Sequence, residues 1–187
     1  MTETKELYQR ALDRYGKLVH GVRDEQWHGP TPCTEWDVRA LVNHLVSENL
    51  WMPPLLVGKS IADVGSSLDG DLLGIDPKAA WDRSAEEVSG AVQDVPLDQT
   101  VHLSYGDVPA EHYISEVFTD LAIHGWDLAR AIGADEAMDP ETVDVLYGYF
   151  KPKEDQLKAS GAFGPKVVPP SGADKQTELL AVFGRVA

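Results

Sequence analysis

Asp120 and His124 in "TDLAIHGWDLARAIG", with His44 in "VRALVNHLVSENLW", are side chains whose types and spacing suit metal chemistry. Asp120 and His124 are four residues apart. At about 100° per residue they leave adjacent turns of a helix in nearly the same direction, roughly 40° apart. Val117, Leu121, Ile123 and Leu128 flank them, so the polar line runs through the apolar face and does not oppose it. Two arrangements satisfy such a pair: two metal ligands from one helix, or an Asp–His ion pair within the core. The helix alone does not choose between them. A metal needs at least a third ligand, and His44 borders the apolar arc of Val38, Leu41, Val42 and Leu45, so it can face a bundle interior. Two imidazoles and a carboxylate around an open position form the ligand pattern of a catalytic divalent site. Helical bundles build such sites between facing helices. Zinc, nickel, iron and manganese all accept this set.

Other polar groups line up with these. Tyr113, Glu116 and Asp127 share the face of Asp120. A carboxylate that accepts the outer N–H of a metal-bound imidazole fixes its tautomer and orientation. Asp127 can do this for His44 or His124; an ion pair with Arg39 or Arg130 is its alternative role. Glu48 and Trp51 share the face of His44. Both can line a pocket, with Glu48 a candidate catalytic base, although plain packing is the simpler role for Trp51. His20 and His28 read as solvated, and His102 and His112 as weaker pocket candidates. Cys33 is the single cysteine. It excludes an internal disulfide and a cysteine-based zinc site. With no base near it in sequence, it reads as structural.

The elements that must position these groups are helical. Leu7, Ala11, Tyr15, Leu18 and Val22 recur at helical spacing and predict a first helix over 3–22. Thr34 and Asp37 fit a capping signature and predict a second helix from about residue 34, ended by Pro53 and Pro54. The stretch 53–75 is rich in Gly and Asp and predicts a loop with one or two short helical turns. Its acids Asp69, Asp71 and Asp76 lack the spacing of a calcium-binding hand. Asp76–Pro77 opens a third long helix, with Asp as cap and Pro at the first position. Val101, Leu103 and Tyr105 alternate, with Gly106–Asp107 as a turn, and predict a short hairpin. A fourth long helix runs from about Pro109 to Ile132 and stops at Gly133. Asp139–Pro140 starts a fifth helix to about Phe150. "GAFGPKVVPPSGAD" is a connector, and "KQTELLAVFG" a short terminal helix. The pattern predicts one all-α domain over 1–187, a four-helix bundle with short extra helices and a small β-hairpin.

Composition limits the partners. The chain has 187 residues, 43% of them hydrophobic, enough for one domain with a real core. Net charge is −15, from 31 acids against 16 bases, which disfavours nucleic acid and acidic membrane surfaces. No apolar run approaches a membrane span. The polar "MTETKELYQR" lacks a signal-peptide pattern, so a cytoplasmic location is expected.

"TPCTEWDVRALVNHLVSENLW" together with "FTDLAIHGWDLARAIGAD" resembles the mycothiol-dependent maleylpyruvate isomerase N-terminal family, within the DinB-like (YfiT-like) metal-binding superfamily. The likeness extends to "GDLLGIDPKAAWDRSA", "TVHLSYGDVPAEHYI" and "GADKQTELLAVFGR", nearly the whole chain. It is closest to the small metal-binding branch without the isomerase's additional C-terminal domain. The resemblance implies a four-helix bundle holding a divalent metal, usually zinc, on His44, Asp120 and His124. The isomerase pattern has Glu where this chain has Asp120, one methylene shorter. It also implies chemistry with low-molecular-weight thiols such as mycothiol or bacillithiol, in S-transfer or thiol-assisted isomerisation. A non-catalytic metal-binding or stress-response bundle is the alternative, with Glu48 or Glu116 closing the site as a fourth ligand. A homodimer is compatible with a bundle of this size.

Overall fold

The computed structural model describes residues 3–160 and 167–187. It is mostly helical, with one small antiparallel two-stranded sheet. The chain divides into two compact units, Met1–Asp135 and Glu136–Ala187. Among the described residues no helix is long and apolar enough to cross a membrane.

The first unit contains α1 (Glu3–Gly21), α2 (Val38–Leu56), the single turn α3 (Ile61–Val64), α4 (Pro77–Asp94), strands β1 (Thr100–Leu103) and β2 (Gly106–Pro109), and α5 (Ala110–Ile132). The four long helices form the expected bundle. α5 packs against α1 and α2, and α4 packs against the same two helices. Val38, Leu41, Val42 and Leu45 of α2 have no solvent exposure. Burying each such side chain contributes about 1.5–3 kcal/mol. Lys5 is also buried, and its ammonium donates to the carbonyls of Gln93 at 2.9 Å and Val95 at 2.6 Å. It thereby supplies donors and positive charge at the C-terminal end of α4.

Boundaries follow the local chemistry, with three departures from the sequence expectation. First, α2 starts at Val38 with Asp37 as its cap, not near Thr34. The buried Thr31 hydroxyl accepts the Cys33 amide at 3.1 Å and donates to the Trp36 carbonyl at 2.8 Å, which holds residues 31–36 as a tight loop. Second, α2 continues past Pro53 and Pro54 to Leu56. Proline's φ suits a helix, and although Pro53 and Pro54 donate nothing, their carbonyls accept the amides of Val57 and Lys59 and close the last turn. Third, the hairpin turns at Ser104–Tyr105, because Leu103 pairs with Gly106 and His102 with Asp107. Gly106 takes a positive φ of 138° there, which a side chain rarely tolerates. Two other expected boundaries are found: Asp76 caps α4, and Gly133 closes α5 in the left-handed conformation. Asp71 is bound by the Arg39 guanidinium at 2.8 Å, which clamps the 70–74 loop to α2.

The second unit contains α6 (Pro140–Phe150, capped by Asp139), α7 (Glu154–Ser160) and α8 (Lys175–Val182, capped by Asp174). α8 packs on α6, with Phe150 against Phe183 at 4.9 Å between ring centres. Part of the "GAFGPKVVPPSGAD" connector lies outside the described residues.

Two measurements test these local arguments. Asp37 accepts the Ala40 amide at 2.8 Å. Burial pushes its carboxyl up, but the Ala40 amide and the His28 imidazole outweigh it and hold it below its ordinary value. A lowered folded-state value stabilises above the unfolded pKa and is lost as pH falls through the folded one. Asp37→Ala should therefore cost about 1 kcal/mol near neutral pH. The gap to wild type should narrow below about pH 4, as read by denaturant unfolding at several pH values. At Gly16 of α1, an added Cβ would meet Trp81 Nε1 at 2.8 Å. Trp81 is 2% exposed and stacks on Tyr15, so it has nowhere to move. Gly16→Ala should destabilise by about 1–3 kcal/mol through overpacking, despite alanine's better helix propensity. A higher melting temperature would contradict this.

Candidate metal centre

The bundle brings the two halves of the sequence pattern together. α2 carries His44 and α5 carries Asp120 and His124. One ligand atom from each lies within 4.8 Å of the others. His44 Nε2 is 3.6 Å from Asp120 Oδ2. The imidazoles of His44 and His124 meet edge to face, 5.3 Å between centres.

The spacing bears on what these residues can hold. The acid–histidine contacts elsewhere are shorter: His20–Asp82 and His102–Asp107 are at 2.8 Å, His28–Asp37 at 3.1 Å and His112–Glu116 at 3.3 Å. A charge-assisted hydrogen bond closes to about 2.7–2.9 Å. An ion with tetrahedral bonds of 2.0–2.2 Å separates its ligand atoms by about 3.3–3.6 Å. The His44–Asp120 separation lies in the second range, and the three groups are of types that could hold a divalent metal.

Exposure falls from one end of the cluster to the other. The side chain of Asp120 is 45% exposed, that of His44 25%, that of His124 12% and that of Asp127 0%. The Asp120 end therefore opens to solvent, and Asp127 forms the closed floor. Asp127 Oδ2 lies 2.9 Å from His124 Nδ1. With Asp127 ionised its carboxylate can only accept, which puts a proton on Nδ1 and, in the neutral ring, leaves Nε2 with its lone pair. Of the two histidines open to Asp127 from sequence, it serves His124. Arg39 is engaged by Asp71, and Arg130 stacks over Trp126 at 4.9 Å.

The other candidates surround this line. Glu48, half-buried, follows His44 by one turn. Burial raises its carboxyl pKa, the His44 ring opposes this, and Asp120 and Glu116 add to the rise. Tyr113 is buried, and burial followed by the nearness of Glu48 holds its phenol neutral. Glu116 is exposed and engaged, accepting from Tyr105 at 2.6 Å and lying 3.3 Å from His112. Among the described residues neither Glu48 nor Glu116 joins the three-ligand group. Trp51 is half-buried on α2.

Two residues at the site were missed from sequence. Trp36 lies 4.8 Å from the His44 ring and 5.7 Å from the His124 ring, covering both. Cys33, read as merely structural, has its sulfur 3.3 Å from Asp127 Oδ2 and 3.8 Å from His124 Nδ1. Their partners in α5, His124 and Asp127, are about 90 positions away, beyond any local pattern, while the other partner of Trp36, His44, is on the adjoining α2. The one signal was the tightness of the loop before α2.

The description "Mycothiol maleylpyruvate isomerase N-terminal domain" matches residues 8–129. The chain belongs to that family. Every residue of the cluster, from Cys33 to Asp127, falls inside the match. Uncharacterized protein Rv0738 of Mycobacterium tuberculosis strain H37Rv is 33% identical over 142 residues, covering 72% of this chain and 70% of that protein. Uncharacterized protein MT0763 of strain CDC 1551 / Oshkosh gives the same figures, 33% over 142 residues. A mutant form of the mycothiol-dependent maleylpyruvate isomerase shares the fold, with a TM-score of 0.64 at 14% identity. That likeness covers 88% of this chain and 73% of the isomerase chain.

The Asp127–His124 contact makes a direct prediction. Asp127→Asn keeps the shape but can present an N–H to Nδ1. The His124 proton should then move to Nε2, which ¹⁵N NMR of the imidazole reads directly. An unchanged tautomer would show that Asp127 does not control the ring.

Proposed function

We propose that this protein is a divalent-metal enzyme, zinc being the best match, that uses a low-molecular-weight thiol of the mycothiol type in S-transfer or thiol-assisted isomerisation of a small electrophile. The observation that carries this reading is the convergence of His44, Asp120 and His124 at a partly exposed end of the bundle, backed by the buried Asp127. The family supports the thiol, and two nitrogens with one oxygen support zinc.

His44, Asp120 and His124 would hold the ion. When bound, it supplies a Lewis-acid position that lowers the pKa of a thiol and favours the nucleophilic thiolate. Asp127 orients His124 and keeps its proton on Nδ1. Trp36 shields the two rings from water on one side. Glu48 is the nearby further carboxylate and accepts the proton that the thiol gives up. Tyr113 offers its neutral hydroxyl as a donor to the substrate. Glu116, held by Tyr105 and His112, lines the open side. The open side admits a small molecule, and the acidic surface suits neither nucleic acid nor an anionic membrane. We place the activity in the cytoplasm, where such thiols are kept reduced.

Elemental analysis of untagged protein should find stoichiometric divalent metal, and His44→Ala should lose it while keeping its helical circular-dichroism spectrum. Electrophiles screened with mycothiol and with bacillithiol should then give turnover that requires both the thiol and the metal. Absence of metal from wild type and an unaffected His44→Ala variant would sink the metal reading. Metal without turnover on any pairing would leave a non-catalytic metal-binding bundle.

A further inference from the structure

The Cys33 contact has no role in the proposed chemistry. Its sulfur lies 3.3 Å from Asp127 Oδ2, the same oxygen that takes the His124 Nδ1 proton at 2.9 Å. The sulfur is also 3.8 Å from Nδ1 itself, so the three atoms form a compact triangle. The carboxylate has no solvent exposure. A buried carboxylate needs donors, and those donors decide which way it points.

The loop that delivers Cys33 is itself braced. The Thr31 hydroxyl accepts the Cys33 amide, and the Cys33 carbonyl accepts the Trp36 amide at 2.8 Å. Pro30 and Asp37 bridge the base of the loop, and the Val38 and Arg39 amides bond back to Gly29 and Trp27. On the far side, Tyr15 of α1 is fully buried, and its phenol is held neutral by burial, then by Asp127 and Cys33. Cys33 is therefore half-buried on a hydrogen-bonded loop, with its sulfur against the buried Asp127 carboxylate.

We propose that Cys33 is a positioning residue for the metal centre. Its S–H donates to Asp127 Oδ2 and fixes the rotation of that carboxylate. The carboxylate in turn holds the His124 proton on Nδ1 and aims Nε2 at the ligand position. The chain of contact runs from loop to helix to ring, Cys33 to Asp127 to His124, and Cys33 itself does not coordinate. Its consequence for affinity rests on the metal reading given above; its consequence for the His124 tautomer does not.

The test compares Cys33→Ala and Cys33→Ser with wild type in two readouts. In metal-free protein, ¹⁵N NMR of His124 should show the Nδ1–H tautomer in wild type and in Cys33→Ser, and a mixture in Cys33→Ala. In competition with a chromogenic chelator, Cys33→Ala should bind zinc about tenfold more weakly. Cys33→Ser, which keeps a donor at that position, should stay within about threefold of wild type. Circular dichroism checks that each variant is folded, and the serine variant decides the matter if the alanine variant is not. Wild-type tautomer and affinity in Cys33→Ala would overturn the proposal. So would an intense thiolate-to-metal charge-transfer band in the cobalt-loaded protein that disappears in Cys33→Ala, since that would make Cys33 a ligand. If wild type binds no zinc, the metal reading falls, and the tautomer in the metal-free variants still decides the role of Cys33.

Discussion

A carboxylate without solvent exposure sits in the last third of the longest described helix, α5, and the loop before α2 and helix α1 both meet it there. Asp127 lies between Trp126 and Leu128, both in the core. Ionised and unpartnered, it would cost several kcal/mol. It is instead given donors from its own helix and from the loop before α2, through His124 and Cys33. α1 closes over the same point with Tyr15, and Gly125 lets it approach, since a Cβ there would stand 3.2 Å from Arg14. One buried charge thus ties α1, α5 and the 30–37 loop to a common geometry.

That geometry also explains why the cluster is graded. The buried floor holds His124 in one orientation, while Asp120, about two turns of helix before Asp127, reaches solvent. A ligand position on this line is rigid on one side and accessible on the other. Rigid groups behind and an open face in front are what a site needs to bind tightly and still exchange a small molecule. The hairpin adds to the open side by presenting Tyr105 to Glu116.

Periodicity in the chain was enough to place the long helices and the polar line on α5, and local signals placed the caps at Asp76 and Gly133, because these depend on contacts within four residues. Asp76 before Pro77 and Gly133 after Ile132 are local chemistry and read directly. The start of α2 was misplaced for a related reason. Thr34 fits a cap by spacing, but the bonds of Thr31 hold that segment in a loop and leave the role to Asp37. The hairpin turn was displaced because Gly106 is used for its positive φ inside the strand pairing and not at the centre of the turn.

For the candidate site, residue types and helical spacing alone determined that His44, Asp120 and His124 could face one interior, and that Asp127 shared their side. An acid near a histidine did not by itself mark them, since His20, His28, His102 and His112 have acidic neighbours as well. Only the tertiary structure decided that two helices bring this pair and His44 to one point, that Asp127 serves His124, and that Trp36 and Cys33 belong beside them. The physical reason is range. Helix formation and capping are settled by neighbours in sequence, whereas the partners of a buried charge are whatever the packed helices and loops bring to it.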